Sequence, residues 1–213
     1  MGKRNNLSAE RIVERSIKML DLEGHKKFSM RKLAASFGVD PMAIYYHIPS
    51  RAALMYKVVE HVVNQCELPQ SHTLWQDDVK LICAGFRQLA HQHPGVIQVF
   101  DTFEEWVAGE HRIFEALYGA LMHGGFDRKE TARAARLLMA FTENFCDWEL
   151  TDWISPFTPE MRTELDDSLS RGHFPNTLTL IEEITNVDPD QEFDYGLDVI
   201  IRGLESRRNY VKR

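Results

Sequence analysis

Residues 29–51 read Ser-Met-Arg-Lys-Leu-Ala-Ala-Ser-Phe-Gly-Val-Asp-Pro-Met-Ala-Ile-Tyr-Tyr-His-Ile-Pro-Ser-Arg. Two short amphipathic segments flank Gly38. Ser29 is placed to cap the first, which carries Leu33, Ala34 and Phe37 on one face. Asp40 caps the second and Pro41 opens it, where proline's fixed φ and missing N–H cost nothing. This second helix runs to about His47. Gly38 permits the positive φ that a tight turn requires. Ala34 is small enough for two helices to cross closely, and Val39 and Ile44 are placed to lock the second helix onto the first. Two short helices joined by a four-residue turn containing glycine make the helix-turn-helix pattern, whose second helix can push side chains into a major groove.

The segments on either side are helical in period as well. Ser8 caps a first helix with Ile12, Val13, Ser16, Ile17 and Leu20 inward, and Gly24 ends it. Pro49 and Ser50 break and recap the chain before a fourth helix bearing Leu54, Met55, Val58, Val59, Val62 and Val63, with Pro69 marking its end. Val79, Ile82, Phe86 and Leu89 place a helix from Trp75 to about His91. A broken stretch is expected over Pro94–Ala108. Ile113, Phe114, Leu117, Tyr118, Leu121 and Met122 then mark a helix that Gly124-Gly125 ends. A long helix runs from Asp127 to about Trp148, and Thr151–Pro156 reads as a loop. Thr158-Pro159-Glu160 starts a short helix, Leu178, Ile181 and Ile184 sit on the next, and Asp188-Pro189 opens a last one reaching about Arg208. The expected fold is all-α. A three-helix helix-turn-helix domain occupies 1–66, with its motif at about 29–48, and a helical domain occupies 67–213.

Composition excludes several classes. With 213 residues, 44% hydrophobic and 27% charged, the chain is of globular type rather than disordered. No stretch approaches 18 uncharged apolar residues, and the N-terminus reads as no secretory signal, so no membrane partner is expected. Three dispersed cysteines, Cys66, Cys83 and Cys146, suit a reducing cytoplasm. His91, His93, His111, His123 and His173 lack the convergent spacing of metal ligands, and no metal or other cofactor is expected. Charge is unevenly divided. Residues 1–57 hold eleven Lys/Arg against five acids, a net +6, within a chain of net −7, so the remainder carries −13. A basic head on an acidic body suits a nucleic-acid binder, because phosphate attraction needs charge only on the contacting face.

Residues 29–51 resemble the DNA-binding motif of the TetR family of bacterial transcriptional regulators. The likeness lies in Arg31-Lys32-Leu33-Ala34, Gly38-Val39, the Ile44-Tyr45-Tyr46-His47 run, and Arg51 before Leu54. Trp75-Gln76-Asp77, Phe86-Arg87 and the tail from Phe193 to Glu205 are similar to the body of the tetracycline-repressor branch. The resemblance implies a cytoplasmic homodimer that binds double-stranded DNA at a palindromic operator and is released, as a repressor, by a small-molecule effector. It implies that Ser29 and Arg31 reach DNA and that Pro41, Met42 and Ala43 lie on the recognition helix. Tyr45, His47 and Arg51 match phosphate-contacting positions. Tyr46 is either a further DNA partner or core packing. Pro41, Met42 and Ala43 replace side chains of which two are polar in the tetracycline repressor, so readout is expected to lean on thymine methyls, Arg31 and DNA shape.

The final helix carries Phe193, Leu197, Ile200 and Leu204 at heptad-type spacing, with Gly196 and Gly203 on a neighbouring stripe. With the alanines of the long helix, this predicts a dimer interface containing Ala135, Met139, Gly196, Leu197, Ile200, Gly203 and Leu204. Packing within one subunit is the alternative. For the effector, the resemblance implies a pocket in the body. Its candidates are Phe86, Ile82, Phe103, Trp106, Leu117, Leu121 and Met139, with Glu143 and Asp147 as polar handles. Such a lining suits a lipophilic or aromatic ligand. A magnesium chelate is not expected, because the matching stretch holds no histidine. The rival class, a helical small-molecule binding protein or enzyme with a basic head, finds no phosphate loop, nucleophile elbow or His-Glu-x-x-His run in its favour.

Overall fold

The structure, a computed structural model, describes residues 7–70, 74–100 and 108–211. Its elements are α1 (Ala9–Glu23), α2 (Met30–Phe37), α3 (Pro41–His47), α4 (Arg51–Val63), α5 (Trp75–Gln92), α6 (Pro94–Phe100), α7 (Ala108–His123), α8 (Arg128–Leu150), α9 (Pro159–Leu169), α10 (Pro175–Thr179), α11 (Ile181–Thr185) and α12 (Pro189–Val211). No strand occurs among the described residues. The chain forms two compact units, 1–135 and 136–213, whose division falls within α8.

In the first unit, each of the four N-terminal helices opens on a side-chain cap. Ser8, Ser29 and Ser50 accept from the backbone N–H three residues on, and Asp40 accepts from that of Met42 at 2.8 Å. Each satisfies a donor that the first turn leaves without a helical partner. Their inward faces are fully buried: Ile12 and Leu20 from α1, Leu33 and Ala34 from α2, Ile44 from α3, Leu54, Val58 and Val62 from α4.

Of the broken stretch expected over Pro94–Ala108, Pro94–Phe100 is a helix instead, and residues 101–107 lie outside the described residues. Pro94 opens α6 rather than ending α5, because a proline at the first helical position lacks only an N–H that has no partner there. The His93 carbonyl accepts from Val96 and Ile97, and Val96, Ile97 and Val99 are buried. α4 ends at Val63, well before Pro69, with Asn64 as its cap.

α6 packs on α1 and α4, and α5 packs on α7. The α1–α6 crossing is a backbone contact. A Cβ on Gly95 would overlap the Leu20 carbonyl, and Asp21 N would lie 2.8 Å away. Beside it, His93 Nδ1 and Asp21 Oδ2 are 2.8 Å apart and mostly shielded from solvent. At the other edge, Arg112 of α7 donates to both the carbonyl and the side-chain oxygen of Asn64, each at 2.9 Å. The first unit therefore runs across the boundary expected at 66/67.

The second unit is held by a ring cluster. Phe193 stacks on Phe141 at 5.6 Å and meets Phe145 edge-on at 5.2 Å. α12 buries Phe193, Leu197, Ile201 and Leu204. Ile201 takes the inward place expected of Ile200, which is half-buried. Both flank one stripe, since 3.6 residues per turn puts i+3 and i+4 on either side of it. The segment of Leu178, Ile181 and Ile184 is two short helices, α10 and α11, parted at Leu180. Arg162 of α9 ties to α11, donating to Thr185 Oγ1 at 2.8 Å and to Glu182 at 3.0 Å.

Gly95→Ala should destabilise the chain by about 1–3 kcal/mol, since the added methyl has only rigid backbone to displace. Urea unfolding of the full chain measures this, and an unchanged midpoint would mean that α6 does not lie this close to α1.

Candidate nucleic-acid interface

The turn between α2 and α3 is built by one residue's backbone. Gly38 sits at φ 69°, ψ 33°, its N–H bonded to Ala35, while Val39 N–H bonds to Ala34. This left-handed conformation costs an L side chain about 1–2 kcal/mol and glycine almost nothing. It swings the chain so that Asp40 can cap α3 at once. Ile44 and the capping Ile48, both without exposed surface, then pin α3 to the head.

With that face committed, the opposite face of α3 is open. Met42 is 71% exposed, Tyr46 87% and Tyr45 37%. Tyr46 is thus not a core residue. Its ring meets that of His47 edge-on at 5.3 Å. Pro41, Ala43 and His47 are half-buried. Ser29 is half-buried, and its hydroxyl oxygen holds the Lys32 N–H. Arg31 and Arg51 are exposed at the starts of α2 and α4, and neither forms an ion pair among the described residues. Lys32, by contrast, pairs with Glu23 at 2.8 Å. The head therefore presents an apolar and phenolic face with two guanidinium groups available to an anion.

Of the effector-pocket candidates, Ile82 and Phe86 on α5 and Leu117 and Leu121 on α7 are buried on two packed helices of the first unit. Phe103 and Trp106 lie outside the described residues. Met139, Glu143 and Asp147 belong to the second unit, buried, half-buried and exposed respectively. A groove of about 580 Å³ that the periodicity does not foretell lies between Leu68-Pro69 and the His111, Arg112 and Glu115 face of α7.

Of the interface candidates, Ala135, Met139, Leu197 and Leu204 are buried by their own chain. Gly196 packs under the Phe141 ring, where a Cβ would come within 2.6 Å. Gly203 is exposed and has nothing near its Cβ position. The apolar residues left open in the second unit are Leu137 and Trp148 on α8 and Tyr195 and Val199 on α12.

Cys66, Cys83 and Cys146 are buried and form no disulfide. Burial pushes the Cys66 thiol from 9.0 up to about 12, against the lowering pull of Arg112. Among the described residues no helix is long and apolar enough to cross a membrane.

A helix-turn-helix head joined to further helices defines the class of helical transcriptional regulators. The family model described as tetracyclin repressor-like, C-terminal domain, matches residues 68–208, and the chain belongs to that family. An HTH-type transcriptional regulator of Saccharopolyspora erythraea is 28% identical over 131 residues, 60% of this chain; the chain spans 55% of that relative. The HTH-type transcriptional repressor DrrR1 of Streptomyces coeruleorubidus is 23% identical over 219 residues, covering 96% of this chain and 79% of it. Apo ActR from Streptomyces coelicolor superposes with a TM-score of 0.83 at 25% identity, over 96% of this chain and 98% of ActR. ActR in complex with actinorhodin gives 0.81 at 26% identity, over 95% and 98%.

A thiol at about 12 is ionised in roughly one molecule in ten thousand at pH 8. Cys66 should accordingly resist alkylation in the folded chain at pH 8 and react once urea unfolds it. Mass mapping of the modified peptide decides this, and rapid native labelling of Cys66 would refute the burial.

Proposed function

We propose that this protein is a cytoplasmic repressor that binds a palindromic operator as a homodimer and releases it when a lipophilic or aromatic effector occupies the body. The division we propose is a reading head at 1–66 and an effector-binding and dimerising body at 67–213. The start of the family match at residue 68 supports it. The observation that carries the proposal is the open face of α3, with the exposed Arg31 and Arg51 at the starts of the helices before and after it. Large apolar side chains left mostly exposed on a capped helix bury little in their own chain, and exposed guanidinium groups on the neighbouring helices suit the phosphates that border a groove.

Tyr45, His47 and Arg51 take phosphates in this reading, Arg31 takes a base edge or a phosphate, and Met42, Ala43 and Tyr46 face the bases. Ser29 and Pro41 shape the helix starts. The homodimer rests on Leu137, Trp148, Tyr195, Val199 and Gly203, the surface that α8 and α12 leave open. Two copies are required because one short reading head covers only half of a twofold site, and the half-sites lie about 34–36 Å apart. The ActR–actinorhodin complex supports a ligand-responsive body, and the buried Phe86, Ile82, Leu117 and Leu121 support an apolar effector. A binding event in the body that shifts head spacing changes operator affinity by about 5–150-fold, the usual range of such coupling.

Three measurements test the proposal. Arg51→Ala should weaken binding alike on all duplexes and reduce the salt slope by about one; unchanged affinity and slope remove Arg51 from the interface. Gly203→Leu should weaken the dimer in sedimentation. Its own chain has room for the side chain, and leucine adds about 1 kcal/mol of helix propensity, so unfolding cannot mimic the loss. A wild-type monomer at micromolar concentration defeats the assembly. Operator release is then followed against actinorhodin, other aromatic compounds and sugars. Release by sugars alone overturns the apolar pocket, and a Phe86→Ala curve identical to wild type makes Phe86 core only.

A further inference from the structure

α3 contains Pro41, Met42, Ala43, Ile44, Tyr45, Tyr46 and His47, and no Arg, Lys, Asn, Gln, Asp or Glu. Those absent types make the paired hydrogen bonds that distinguish guanine, adenine and cytosine at the major-groove edge. The carboxylate just before the helix, Asp40, accepts from the Met42 N–H and belongs to the helix cap. Yet Met42 and Tyr46, one turn apart, are the most exposed side chains of α3, at 71% and 87%. An apolar side chain at a base edge meets one distinctive group, the 5-methyl of thymine. Methionine suits it well, since its unbranched, polarisable thioether adapts to the position of the methyl. The two exposed guanidinium groups, Arg31 and Arg51, supply the charge that brings such a face against DNA rather than against another apolar surface.

We infer that α3 reads its operator through thymine 5-methyl groups, met by Met42 and the ring of Tyr46. This deepens the DNA-binding reading above and rests on it. The discrimination that α3 itself contributes then comes from buried methyl area and not from paired hydrogen bonds to base edges.

The full chain is used to enrich duplexes from a random library, and an enriched duplex is synthesised twice, once with thymine and once with uracil throughout. Uracil lacks only the methyl. Each contacted methyl lost should weaken binding about fourfold, so a palindrome losing one per half-site weakens about 15-fold. An unselected duplex should show no thymine–uracil difference. Met42→Ala, at a site too exposed to bear on the fold, should bring the thymine-to-uracil ratio towards one. Equal affinity for the two enriched duplexes overturns the inference. So does a full methyl dependence that survives Met42→Ala. If no duplex is enriched and none binds, the DNA-binding reading itself fails.

Discussion

The contact on which the first unit depends is the approach of Gly95 to the Leu20 carbonyl. Two helices meet there backbone to backbone, with no side chain between them. Hydrophobic layers slide and repack at modest cost, whereas a carbonyl against a Cα offers one distance. The His93–Asp21 pair stands beside the contact, and the Arg112 clamp on Asn64 fixes the far end of α4 to α7. α1 and α4, the helices on which α2 and α3 are mounted, therefore share one compact body with α5, α6 and α7.

Cys66 shows the same shielding from another side. The thiol lies where α4 gives way to the segment before α5, and burial keeps it protonated far above neutral pH. A neutral buried thiol is a poor nucleophile.

Legibility in the sequence followed the range of the interaction. The caps at Ser8, Ser29, Asp40 and Ser50 act within three residues, and Gly38 acts on its own φ, so a local reading finds them. The four head helices and their inward residues were readable for that reason. α6 was not, because Pro94 reads as a breaker when its neighbours are unknown, and only its place at the first position makes it a starter. Gly95 against Leu20, Arg112 against Asn64 and Gly196 under Phe141 join residues far apart in sequence, and no periodicity signals them. The glycine spacing on α12 points to close approach, but one glycine meets its own chain and the other meets nothing. In the candidate interface, residue types marked the exposed face of α3, while the commitment of Lys32 to Glu23 needed coordinates.

α3 divides its labour between two sets of residues that do not overlap. Ile44 and Ile48 hold the helix in place and are wholly buried, while Met42 and Tyr46 are mostly exposed. Substitutions at the outer pair leave the energetics of folding nearly untouched, since exposed positions away from caps and cores usually alter stability by no more than about 0.5 kcal/mol. On the proposal that this face reads the operator, recognition can drift without passing through an unstable intermediate. After gene duplication, one copy can acquire a new operator by two or three changes on this face while its twin keeps the old one. The scaffold is evolvable at the surface where divergence separates one regulatory circuit from another.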